Sequence, residues 1–141
     1  MEIRSLTPDY AVSPQITPDD VTAIRAAGFT TLIDNRPDAE IPAEVGTEAM
    51  RRAAEAAGLV FVANPVVGGA ISDENVRAQC AAIAAAKGPV FAYCASGNRS
   101  SIVWAMSQAG ARPTDELIGT AAAWGYNLEP FRARIDGFAA G

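Results

Sequence analysis

Histidine is missing from all 141 residues. That absence excludes serine–histidine–aspartate and cysteine–histidine catalysis. It also removes most zinc and non-haem iron sites, which lean on imidazole, so neither a metal nor a cofactor is expected. Cysteine is scarce: Cys80 and Cys94 are the whole supply. Two are too few for a disulfide framework, and a reducing compartment would leave both as thiols. Positive charge is in deficit, with 11 Lys and Arg against 16 Asp and Glu for a net charge of −5. The basic residues are dispersed, whereas a nucleic-acid-binding surface needs them clustered. No apolar run reaches the ~18 residues that cross a bilayer. Met1-Glu2-Ile3-Arg4-Ser5 also lacks the basic-then-apolar pattern of a secretory signal. The expectation is a soluble cytoplasmic protein with no nucleic-acid and no membrane partner.

Half of the residues are hydrophobic and 19% are charged, a globular composition that suits one buried core. No repeat, linker or long charge run divides the chain, so residues 1–141 are expected to form a single domain. Short β-branched runs alternate with Ala-rich helical stretches. Strands are expected at Tyr10–Val12, Thr30–Asp34, Leu59–Ala63 and Pro89–Tyr93. Thr17-Pro18-Asp19-Asp20 has the cap, proline and first-turn acids of a helix start, with Gly28 as the stop. Further helices are expected over Thr47–Ala57, from Ser72 to Ala86 and over Ser100–Ala109, with two shorter ones after Thr114 and Asn127. Strands separated by helical crossovers imply an α/β fold: a mostly parallel central sheet of four to five strands with helices on both faces. Ligands bind such sheets beyond the carboxyl ends of the strands. Cys94, the Asp34–Arg36 segment and Asn64 all lie at ends of that kind.

The segment from Val90 to Ser101 reads as strand, Cys94, small-residue loop, Arg99, helix. A thiol is mostly protonated at neutral pH, and a helix N-terminus with a nearby cation favours its thiolate. A loop entering a helix turns unpaired backbone N–H groups toward an anion. Ala95 and Gly97 keep this loop thin, Ser96 and Asn98 complete it, and Arg99 supplies a fork for an anion. Ser100 could donate a hydrogen bond to the sulfur. Cys94 is therefore the expected nucleophile, Arg99 its anion clamp, and residues 95–98 with Ser100 the anion-binding loop. Cys80 falls with Val76 and Ile83 on one helical face, which reads as core packing.

Asp34-Asn35-Arg36-Pro37-Asp38, Asn64-Pro65-Val66, the Tyr93-to-Ser101 loop, Trp104-Ala105 and Ala123-to-Leu128 together resemble the bacterial beta-lactamase-hydrolase-like protein phosphatase family, also classed as a sulfur transferase family. The resemblance covers nearly the whole chain. It implies a cysteine-phosphatase-like fold with a rhodanese-like active loop, and a persulfide-oxidising metallo-hydrolase as functional partner. Cysteine phosphatases carry one more residue between Cys and Arg than the four found here, and a His where Tyr93 stands. Their general acid would fall near Val67 to Gly69, which holds no carboxylate. Asp73 is the nearest one downstream, open to reading as a substitute acid or as a first-turn helix residue. Asp34, Asn35 and Arg36 are similar to the Asp-x-Arg of rhodanese-like domains. Arg36 or Asn35 would line the pocket, or Asp34 would cap the turn and pair with Arg36. Tyr126 and Trp124 would wall the pocket or close the core.

The leading expectation is a sulfurtransferase that moves sulfane sulfur from a small donor through a Cys94 persulfide. The alternative is a phosphatase of the protein-tyrosine or dual-specificity type, taking a phosphoanion through a Cys94 phosphocysteine. A third is a non-catalytic anion-binding or redox-sensing module.

Overall fold

The computed structural model describes residues 1–141. Five strands form one sheet: β1 (Arg4–Thr7), β2 (Tyr10–Ser13), β3 (Thr31–Asp34), β4 (Val60–Ala63) and β5 (Val90–Tyr93). Their order is β1-β2-β5-β3-β4, and only the β1–β2 pair is antiparallel. Six helices accompany them: α1 (Val21–Ala26), α2 (Thr47–Ala56), α3 (Asp73–Ala85), α4 (Asn98–Ser107), α5 (Thr114–Ala122) and α6 (Arg132–Ala140). The expected α/β layering is present.

Strands β2, β3 and β5 are buried along their whole length, which is why they read as continuous apolar runs rather than alternating ones. Leu32, Phe91 and Tyr93 pack toward Ile24 of α1 and Met50 and Ala54 of α2. Val12, Ile33 and Ala92 pack on the opposite face, with residues of α3 to α6. Helix α4 is the spine of that second layer. Ser100 through Met106 are all buried, so its sequence carries no amphipathic stripe. Trp104 stacks on Tyr10 at 5.8 Å between centroids and ties α4 to β2.

The register matters most for function. Ser13 and Asp34 both sit opposite Tyr93, and Asp34 sits opposite Ala63. The chain therefore leaves four parallel strands at one level, and the segments after Ser13, Asp34, Ala63 and Tyr93 share one edge.

Three differences from the sequence reading have plain causes. β1 went unrecognised because Arg-Ser-Leu-Thr has one buried apolar side chain, as an edge strand allows. The Thr17 start first makes a 3₁₀ turn over Pro18–Asp20, with the Thr17 N–H donating to Asp20 at 2.9 Å, and α1 follows from Val21. Cys80 is exposed, not packed in the core. Helix α3 is rotated so that Val76 and Gln79 point inward, and Cys80 lies beside the buried stripe.

Candidate active site

Cys94 follows directly on β5, the central strand, and is fully buried. The chain then turns through Ala95 and Ser96 to Gly97, which has φ +93° and begins α4. In this left-handed conformation a side chain is strained, and glycine meets it without cost. The turn carries the Gly97 N–H onto the Cys94 Sγ at 3.1 Å. Helix α4 starts at Asn98, two residues before the expected position, so Arg99 lies in its first turn. First-turn N–H groups have no partner within a helix and can turn to an anion; here the Asn98 N–H donates to the Ser96 hydroxyl at 3.2 Å.

Arg99 is 14% exposed at its side chain. Its guanidinium is held more firmly protonated by the Glu40 carboxylate and by the nearby Cys94 sulfur, against the effect of burial. Two 2.8 Å bonds join Arg99 Nη1 and Nη2 to the two Glu40 oxygens, and a third at 2.8 Å runs from Nη1 to the Val66 carbonyl. Glu40 also accepts from Arg36 Nε at 3.3 Å. Arg99, with help from Arg36, holds the Glu40 carboxyl below the usual range despite some desolvation. Glu40 was not among the residues expected here. It comes from a 3₁₀ turn after β3, and only a hydrophilic Asp-Ala-Glu run marks it in the sequence.

A buried polar network holds the loop from below. Asn35 Nδ2 donates to the Asn64 carbonyl and to Gln79 Oε1, both at 2.9 Å. Asn35 Oδ1 accepts from Ser100 Oγ at 2.8 Å and from Gln79 Nε2 at 3.3 Å. Gln79 also donates to the Tyr10 hydroxyl at 3.0 Å, and Tyr10 donates to the Ser100 carbonyl at 2.9 Å. The Ser100 hydroxyl is thus spent on Asn35 rather than on the sulfur. Asn35 and Asn64 belong to this scaffold and do not line the pocket. Gln79 could have been found as the one polar residue on the Val76–Ile83 face.

From above, the Tyr126 hydroxyl donates to the Ser96 carbonyl at 2.8 Å and accepts from Arg4 at 2.7 Å. Tyr126 is a brace on the loop, while Trp124 is exposed and donates to the Ser5 carbonyl at 2.8 Å. At the end of β3, Asp34 accepts the Arg36 N–H at 2.9 Å and the Thr47 hydroxyl at 3.2 Å. The Arg36 side chain goes to Glu40 and Gln15, not to Asp34. Burial pushes the Asp34 carboxyl up, offset in part by the Arg36 N–H, Tyr93 and Thr47. The Tyr93 hydroxyl is buried close to Asp34 but makes no well-formed hydrogen bond.

Above the loop opens a cleft of about 550 Å³ lined by Ser96, Asn98 and Arg99, by Val67–Gly69 and by Glu40. Ile71, Ile102, Phe131 and Arg134 complete its wall. Asp73 is not part of it. That carboxylate lies in an adjoining shallow hollow and pairs with Arg134 at 3.2 Å. Glu40 is the one carboxylate on the cleft wall, and its two arginines keep it ionised. No group of three or more His, Cys, Asp or Glu side chains comes together to hold a metal ion. No helix is long and apolar enough to cross a membrane.

Residues 2–111 match the family model described as the phosphatase-like domain of beta-lactamase hydrolase-like protein. A curated beta-lactamase hydrolase-like protein of Xylella fastidiosa is 32% identical over 130 residues, 91% of this chain. Those residues make up 30% of the relative, so this chain spans about a third of its length. Among solved structures, a Neisseria meningitidis protein named as a candidate phosphatase is 36% identical, with a TM-score of 0.83 over 98% of this chain and 99% of its own. PTPMT1, solved in complex with PI(5)P, shares the fold at a TM-score of 0.81 and 12% identity, over 98% of this chain and 94% of that one. The fold is that of the cysteine phosphatases. These likenesses favour the phosphatase alternative over sulfur transfer.

Proposed function

The chain belongs to the family of phosphatase-like domains of beta-lactamase hydrolase-like proteins, and we propose that it is a single catalytic domain in which Cys94 carries sulfane sulfur as a persulfide. The Cys94 thiolate attacks the outer sulfur of a persulfide or of thiosulfate. A new S–S bond forms as the donor S–S bond breaks, and the donor departs as thiolate or sulfite with the electron pair. An acceptor thiolate then attacks the outer sulfur and releases Cys94. Sulfur moves at one oxidation level, so the cycle needs no oxidant or reductant. Arg99 and the loop N–H groups hold the anion throughout. A persulfide-oxidising metallo-hydrolase, the partner implied by the family resemblance, would consume persulfide formed in this way.

One observation carries this reading: the only carboxylate on the cleft wall is Glu40, kept ionised by Arg99 and Arg36. Phosphate-ester hydrolysis gains about 10²–10⁴ from an acid that protonates the leaving oxygen. Sulfite and thiolate leave without that proton. The four-residue spacing from Cys94 to Arg99 supports the same cargo. Incubation with thiosulfate or an alkyl persulfide, followed by intact mass, should show one added sulfur that is absent from Cys94→Ser. No adduct with any donor overturns the reading.

The family and the shared fold favour a second reading, a phosphatase working through a Cys94 phosphocysteine. With no acid in the cleft it would act on aryl phosphates, whose leaving groups need little protonation. Hydrolysis of a chromogenic aryl phosphate that is lost in Cys94→Ser would establish it, and activity equal to that variant would exclude it.

A further inference from the structure

The cleft above the Cys94 loop holds a second arginine with no part in the chemistry described so far. Arg134 comes from α6, whose position was legible but whose side chains carried no expected role. It lines the same cleft as Ser96, Asn98 and Arg99. Its one carboxylate partner is Asp73, through Nη2 at 3.2 Å, and the two side chains are 38% and 67% exposed. Such a solvent-exposed pair is screened and weak, so a ligand carboxylate can take its place. The Arg134 guanidinium also lies 5.6 Å from the Phe138 ring centroid, a contact that uses none of its N–H donors. The same cleft is also lined by the apolar side chains of Ile71, Ile102 and Phe131.

The geometry points to a two-anion site, in which Arg99 and its loop take the reacting group and Arg134 takes a carboxylate carried elsewhere on the same small substrate. The apolar side chains of Ile71, Ile102 and Phe131 in the same cleft suit a short carbon chain. The substrate class is then a carboxylate-bearing low-molecular-weight thiol in its persulfide form, which sets it apart from bare thiosulfate. The persulfide part of this assignment rests on the sulfur-transfer reading, while the remote carboxylate rests on Arg134 alone.

Unreactive ligands separate the two. A series of ω-sulfocarboxylates with two to five methylenes offers a sulfonate for the Arg99 loop and a carboxylate for Arg134. Matched alkylsulfonates lack the carboxylate. Calorimetric titration should show at least one sulfocarboxylate binding about three- to tenfold tighter than its match, as for a partly exposed arginine–carboxylate pair. Arg134→Gln should erase that ratio, and Arg134→Lys should keep part of it. Equal affinities across the series, or a ratio unchanged in Arg134→Gln, overturns the subsite. No binding of any sulfonate overturns it together with the anion site at Arg99. The titration involves no turnover, so a failed sulfur adduct on Cys94 leaves its outcome readable.

Discussion

Glu40 grips Arg99 through both terminal guanidinium nitrogens, Nη1 and Nη2, at 2.8 Å each, directly beside the loop that holds Cys94. The carboxylate takes a donor from each of these nitrogens and so competes with an incoming anion for Arg99. Glu40→Gln should therefore bind sulfate about three- to tenfold more tightly than the unmodified chain, because a neutral amide competes less well for Arg99. Calorimetric titration of sulfate checks this, and equal or weaker binding by the variant would show that Glu40 does not compete.

The same pair gives a pH dependence. Arg99 holds the Glu40 carboxyl below its ordinary 4.5, and displacement by sulfate lets it return upward. Binding then takes up a proton in that interval, so sulfate affinity should rise as pH falls from 4.5 toward the lowered value. Glu40→Gln should lack this rise. Titrations at a few pH values between neutrality and the acid limit of folding would measure it.

Gly97 meets two constraints at once. Its φ of +93° strains any side chain, and a Cβ there would collide with the Tyr126 hydroxyl that braces Ser96. Gly97→Ala should cost about 1–3 kcal/mol in denaturant unfolding and abolish the Cys94 adduct. Adding Tyr126→Phe relieves the collision but not the backbone strain. The double variant should regain part of the stability and little of the activity.

Gln79 is buried on α3, and its amide serves Asn35, Asn64 and the Tyr10 hydroxyl. Gln79→Ala leaves several buried polar groups unpaired and should destabilise by roughly 2–4 kcal/mol. The loop is tied to this network through Ser100, so adduct formation should slow even in the fraction that stays folded. Chemical denaturation and the rate of the mass shift test the two effects separately.

Asp34 titrates in the opposite sense to Glu40. Burial raises its carboxyl above 3.8 in the folded chain, so its stabilising contribution is full below 3.8 and is lost as pH rises through the raised value. Asp34→Asn removes that loss and keeps an acceptor for the Arg36 N–H. Relative to the variant, the unmodified chain should lose stability across that interval on going up in pH. Thermal unfolding of both proteins over the acid range would show the divergence.

The strand-and-helix alternation was legible because β2, β3 and β5 are short buried runs and because Gly28 and Gly58 punctuate helix ends. Gly28 and Gly58 both have positive φ where their helices stop. β1 was not legible, since its pairing with β2 comes from the edge of the sheet rather than from its own alternation. Cys80 was misplaced because a seven-residue apolar spacing fixes a helix face only to within about one side chain. Gln79 took the inward position, where its partners lie on β2 and on the segments after β3 and β4.

At the site, the sequence by itself determined Cys94, Arg99 and the loop between them. Those residues are contiguous, and a strand-to-helix turn of fixed length places a sulfur and a first-turn arginine with little help from the rest of the chain. It also determined that no histidine stands at the site. Only the tertiary structure decided which groups face that loop. Glu40 comes from the turn after β3, and Phe131 and Arg134 from the start of α6 and the residue before it; they meet because four parallel strands end at one level while α6 packs on α4. The spacing of residues along the chain carries no record of that packing, which is why the cysteine loop was readable in advance and the walls of its cleft were not.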